Sequence, residues 1–231
     1  MENLSKVFEK LKAAVLKLKA KKCTLFAKEV EYLGHVISSK GVSTEPKKVK
    51  SVRDWPVPTT AKEVRSFLGL CGYYRRFIEK YAEKAKPLTH LTEKQQDFVW
   101  TSDCQNTFEN LKNCLTKAPI LVYPDFSKPF IVDTDASSNA IGAVLYQRSD
   151  DNEHVIAYAS RTLSKPERKY CVTRKELLAV VYFERYFRHY LLGRKLTIRT
   201  DHSSLKWLMR LKNPEGQLAR WVDILSAYDL D

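Results

Sequence analysis

Glycine and proline are scarce in this chain, at 7 and 9 of 231 residues. That scarcity excludes a low-complexity, collagen-like or broadly disordered polypeptide. No apolar run approaches the ~18 residues that a membrane-spanning helix needs. The first 22 residues are charged throughout and do not read as a secretory signal. Cys23, Cys71, Cys104, Cys114 and Cys171 are scattered, odd in number and form no CxxC pair. They speak against a disulfide framework or a zinc site and suit a reducing, intracellular setting, either a cytoplasmic particle or the nucleus. Acidic residues are also in deficit, with 27 Asp and Glu against 40 Lys and Arg, a net charge of +13. The deficit is local. Residues 1–94 carry 21 basic and 10 acidic side chains, whereas residues 95–231 carry 19 and 17. A field of that sign attracts polyanions, of which nucleic acid is the commonest. A merely soluble basic surface is the plainer reading.

Leu4, Val7, Leu11, Val15 and Leu18 recur at helical spacing, which predicts an amphipathic helix ending near Lys22. Strand-like runs follow at Thr24–Ala27 and Val30–Ser38, with a turn at Ser39-Lys40-Gly41. After the Trp55-Pro56-Val57-Pro58 break, Thr59 or Thr60 can cap a helix with Glu63 near its third position. Val64, Phe67, Leu68, Cys71 and Tyr74 give that helix an apolar side, and Arg65, Arg75, Arg76 and Lys80 make it basic. Gly69 and Gly72 inside it each cost about 1 kcal/mol against alanine. Either something bulky approaches the backbone there or the glycines serve helix packing. Phe108, Leu111 and Leu115 mark another helix. Strands are then predicted at Phe130–Asp135, Ala140–Gln147, His154–Ser160 and Leu196–Thr200, and helices near Arg174–Leu192, Ser204–Lys212 and Leu218–Tyr228.

Three acids lie where acids are costly. Asp135 and Asp201 each close an apolar strand as the second member of a Thr-Asp pair. If those strands are parallel neighbours, the two carboxylates share one sheet edge, where open α/β sheets bind ligands. Glu176 heads the helical stripe Glu176, Ala179, Val180, Phe183, and a buried carboxylate there needs a partner or a metal. Hard divalent cations such as Mg²⁺ would satisfy such a cluster. The residues alone leave open that each acid caps a helix or faces solvent.

Phe130–Ser137 with Ile141–Leu145, then Ile156–Leu163, Lys175–Val181 and Thr200–Leu205, resemble in order the RNase H domain of gypsy-class LTR retrotransposon Pol polyproteins. Upstream, Glu31–Ser38 resembles the reverse transcriptase strand pair that grips the primer end, and Val64–Phe77 resembles its thumb helix. The resemblance implies an α+β basic segment followed by an α/β RNase H-like domain with a mixed sheet. Residues 1–45 would be the end of the palm and 46–94 a thumb-like segment. Residues 95–231 would be the RNase H-like domain with a lead-in helix, C-terminally truncated so that its last strand and helix are missing.

The resemblance further implies that Asp135, Glu176 and Asp201 are the catalytic ligands of Mg²⁺ (or Mn²⁺), in hydrolysis of the RNA strand of an RNA–DNA hybrid. Tyr32, Leu33, Gly34, Arg65, Gly69, Tyr73, Arg75 and Arg76 would touch template–primer or hybrid. The remaining partners would be other parts of the polyprotein, with no membrane. The polymerase's Tyr-x-Asp-Asp turn is absent from the sequence, so polymerization by this chain alone is not expected. A fourth acid of the nuclease would lie beyond Asp231, so nuclease activity of the chain is expected to be weak or lost. A non-catalytic hybrid-binding module and a decayed relic are the alternative readings.

Overall fold

The computed structural model describes residues 2–201, 214–226 and 228–230. Its first helix, α1 (Glu2–Ala13), buries none of its residues. A helix without a packed face is marginal. This one stops at Ala13 rather than near Lys22; Val15 takes a φ of 56° just beyond it. The strand expected at Thr24–Ala27 does not form, and Phe26 has a φ of 57°. The run Val30–Ser38 proves to be a hairpin of β1 (Glu29–Tyr32) and β2 (His35–Ser38), which β3 (Gly41–Thr44) extends into an antiparallel sheet. Leu33 and Gly34 form its two-residue turn with φ of 47° and 75°, the two positive values that a type I′ hairpin requires. Gly41 is obligatory. Its φ is +133°, and a Cβ there would sit 2.1 Å from the Leu121 carbonyl oxygen. That approach lets Val42 and Leu121 exchange backbone hydrogen bonds of 2.8 and 2.9 Å.

A first core gathers α2 (Pro46–Arg53), α3 (Ala61–Tyr73), α4 (Tyr81–Lys84), α5 (Lys86–His90) and α6 (Ser102–Thr116). Thr60 is the cap of α3. Its Oγ1 accepts from the Glu63 N–H at 3.3 Å, while the Glu63 carboxylate accepts from the Thr59 N–H at 2.7 Å. Val64, Phe67 and Cys71 are buried, and the Phe67 ring lies 4.7 Å from that of Phe108. Through Phe108, Leu111 and Leu115, α6 belongs to this core. The two cores are separated in the chain between Leu121 and Phe130.

The second core is a mixed sheet of β4 (Phe130–Ala136), β5 (Ala140–Ser149), β6 (Asn152–Thr162), β7 (Lys195–Thr200) and β8 (Asp229–Leu230), in the order β6-β5-β4-β7-β8. The first three strands are antiparallel, and β7 lies parallel to both β4 and β8. The crossover from β6 to β7 passes through α7 (Lys165–Arg168), α8 (Val172–Tyr186) and α9 (Arg188–Leu191). The two-residue strand β8 follows α10 (Gly216–Leu225). The helix expected at 204–212 lies outside the described residues. Ala179 and Phe183 of α8 pack on one face of the sheet. Val155 and Tyr158 pack against the first core. Arg199 sits opposite Asp133 in the β4–β7 ladder, bonded to it at 2.5 Å and to Glu153 at 2.8 Å. No described helix is long and apolar enough to cross a membrane.

Glu184, buried in α8, has no hydrogen-bond partner for either carboxyl oxygen among the described residues. Burial pushes it from the ordinary 4.5 up to about 8. The folded chain thus holds this proton more tightly than the unfolded chain. The stability it contributes is complete below pH 4.5 and is lost as pH rises through about 8. Glu184→Gln should flatten that fall and stabilise the protein above pH 8 by on the order of 2 kcal/mol. Urea unfolding across pH measures it, and an unchanged pH slope would mean that this carboxyl is not the source.

Candidate functional site

Because β4 and β7 run parallel with Thr134 opposite Thr200, the next residues, Asp135 near the end of β4 and Asp201 just past β7, lie at the same end of the sheet. The second turn of α8 brings Glu176 to that end, where its Oε1 accepts the Ala136 N–H at 3.2 Å. One carboxyl oxygen from each of Asp135, Glu176 and Asp201 lies within 4.8 Å of the others. Asp201 is exposed, Asp135 half-buried and Glu176 only 3% exposed. Burial first, then the charges of Asp201 and Asp135, push Glu176 up to about 7, against hydrogen bonds from Ala136 and Thr200. Its Oε2 is buried with no hydrogen-bond partner among the described residues. A buried bare oxygen beside two further carboxylates is a donor set that fits a hard divalent cation.

Lys80, at the N-terminus of α4 and expected to be one of the basic residues of the helix before it, reaches this cluster. Its Nζ lies 2.5 Å from Asp135 Oδ2. That hydrogen bond to Asp135 holds the ammonium above the ordinary lysine value. Nothing in the local sequence marks this lysine out, since 55 residues separate it from its partner.

The other predicted site residues divide into two groups. Tyr32, Leu33, Gly34 and Tyr73 come together. The Tyr73 hydroxyl donates to the Leu33 carbonyl, the Tyr74 hydroxyl donates to that of Gly34 at 2.6 Å, and the His35 ring stacks on Tyr73 at 5.3 Å. Tyr32 and Leu33 nevertheless remain 60% and 70% exposed. Arg65, Gly69 and Tyr73, four residues apart on α3, form an exposed stripe that leads to this turn. A Cβ at Gly69 would meet nothing within 4 Å, so internal packing does not explain that glycine. At Gly72 a Cβ would lie 3.4 Å from the Tyr81 hydroxyl, in keeping with packing. Arg75 and Arg76 do not join the stripe. Arg75 donates to the Ser160 carbonyl and Arg76 to that of Ile156 at 3.5 Å, which ties the first core to β6.

A family model for the RNase H-like domain found in reverse transcriptase matches residues 125–228. The Retrovirus-related Pol polyprotein from transposon 297 of Drosophila melanogaster is 45% identical over 229 residues, 99% of this chain and 21% of the relative. The Pol polyprotein from transposon 412 of the same organism is 40% identical over 95% of the chain and 18% of its own length. The transposon Tf2-3 polyprotein of Schizosaccharomyces pombe is 36% identical over 100% of the chain and 18% of its length. The chain thus spans about a fifth of the curated relatives it matches. Among solved structures, a foamy viral protease-reverse transcriptase in complex with RNA/DNA hybrid superimposes with a TM-score of 0.80 at 25% identity. It covers 100% of this chain and 32% of that one. A form of that enzyme in complex with double-stranded DNA gives 0.79 at 26% identity, over 99% and 41%.

Glu176 should titrate near pH 7 in the metal-free protein, followed by carbon-detected NMR of its carboxyl. Asp201→Asn removes one repelling charge and should move that midpoint down by roughly half to one pH unit. A midpoint that stays put would remove Asp201 from the cluster.

Proposed function

We propose that the chain is a stretch of a gypsy-class retrotransposon Pol polyprotein that hydrolyses the RNA strand of RNA–DNA hybrids, a reading supported by the match of residues 125–228 to the RNase H-like domain found in reverse transcriptase. The observation that carries this reading is the convergence of Asp135, Glu176 and Asp201 within 4.8 Å on such a fold. These three carboxylates would hold Mg²⁺ or Mn²⁺, which when bound supplies activation of water and stabilisation of charge on the phosphodiester. The protein's own part is to keep the acids in register on β4, β7 and α8, and to release the Glu176 proton as the site fills.

Residues 1–45 then read as the end of a polymerase palm and 46–94 as its thumb. The Tyr32-Leu33-Gly34 turn and the stripe Arg65, Gly69, Tyr73 form one face for template–primer. It lies within the portion that carries the basic excess. A bare Gly69 lets a sugar or backbone approach closely. Arg75 and Arg76 take a different role in this reading. As struts between thumb and sheet, they fix the distance between where the hybrid is held and where it is cut.

The test uses purified chain and a short labelled hybrid. Binding should weaken at least about tenfold between 50 and 200 mM salt. With Mg²⁺ the RNA strand should be cut, but slowly. Asp135→Asn and Asp201→Asn should each lose at least about a hundredfold of that cutting while binding stays within about twofold. Salt-sensitive binding without cutting in Mg²⁺ or Mn²⁺ would sink the catalytic reading and leave a hybrid-binding module.

A further inference from the structure

Lys80 has a left-handed backbone, with φ of 52° and ψ of 36°, a conformation that residues other than glycine, asparagine and aspartate seldom adopt. Its neighbours hold it there. The Ser160 carbonyl accepts from Arg75, and the Ser160 hydroxyl oxygen accepts from the Ala82 N–H at 2.9 Å. Ile78 and Tyr81 are buried. Residues 75–82 are thus strapped across β6, and Lys80 projects over Gly142, where an added Cβ would already stand 3.7 Å from its Cγ. The ammonium ends 2.5 Å from Asp135 Oδ2. Among the described residues this is the sole ion pair made by any of Asp135, Glu176 and Asp201.

We propose that Lys80 is a tethered competitor for the divalent cation: its ammonium pairs with the Asp135 carboxylate that the cation must also use, so the site fills only as Lys80 withdraws. This rests on the reading of the three acids as metal ligands. Two cations on one carboxylate repel. The ammonium is a compact charge on a flexible four-carbon stem, so it can swing away while the strapped backbone stays. Lys80 would therefore set how much metal the nuclease needs, and it does so from the thumb side of the junction.

Metal affinity decides the matter, measured by Mn²⁺ electron paramagnetic resonance or Mg²⁺ calorimetry on the full chain. Lys80→Met should tighten binding about two- to fivefold, the fold-change expected for loss of one partly exposed ion pair. Lys80→Arg should stay within about twofold of wild type. Lys80→Asn, which accepts the left-handed backbone, repeats the test if the methionine variant folds poorly. In wild type, Mg²⁺ should also raise the rate at which an amine-acylating reagent labels Lys80. Unchanged affinity in both variants, or labelling indifferent to Mg²⁺, overturns the proposal. Wild-type affinity in Asp135→Asn would instead overturn the metal-site reading itself, so the two failures are told apart.

Discussion

Three carboxyl groups within 4.8 Å repel one another, and much of the second core serves to keep them together. Two enter as the residues after a parallel strand pair, which fixes their spacing through the ladder of β4 and β7. The third comes from α8, packed on the same sheet through Ala179 and Phe183. The repulsion is relieved in two ways. Glu176 holds its proton to about 7, and Asp135 shares its charge with Lys80. Both are means a divalent cation would replace.

The sheet joins two halves of the molecule. Its α8 face belongs to the second core, and its other side meets the first core through Val155 and Tyr158. Arg75, Arg76 and Ala82 all bond to β6, which fastens the first core to the sheet that carries Asp135. The backbone exchange between Val42 and Leu121 fastens the small antiparallel sheet to the same junction.

The acids stood out in the sequence because a Thr-Asp pair ending an apolar strand and a glutamate on an apolar helical stripe break the pattern around them, while only the family resemblance implied that the three act together. The sheet strands were legible for the same reason, since alternation and apolar runs are local. What was not legible depends on distant partners. Leu33 and Gly34 lie inside a run that reads as one strand, and only their positive φ values reveal the turn. Arg75 and Arg76 look like free surface charge until β6 is placed beneath them. Helix α6 reads as a lead-in to the second portion, yet the Phe67–Phe108 contact assigns it to the first. The apolar stripe of α1 promised a longer helix, but it finds no surface to cover.

The pairing of Asp133 with Arg199 has a consequence for how accurately the molecule can be assembled. They face each other across the β4–β7 ladder, and each stands two positions ahead of an acid of the cluster, Asp135 and Asp201. A misregistered strand would advance one acid past the other by about 3.3 Å per residue, far coarser than the tolerance of a coordination shell. The same slip would separate the arginine from its carboxylate and turn it to the opposite face. The ion pair thus works as an alignment key: an error in threading is charged immediately, as a misplaced arginine, before any ion or substrate is present to detect it.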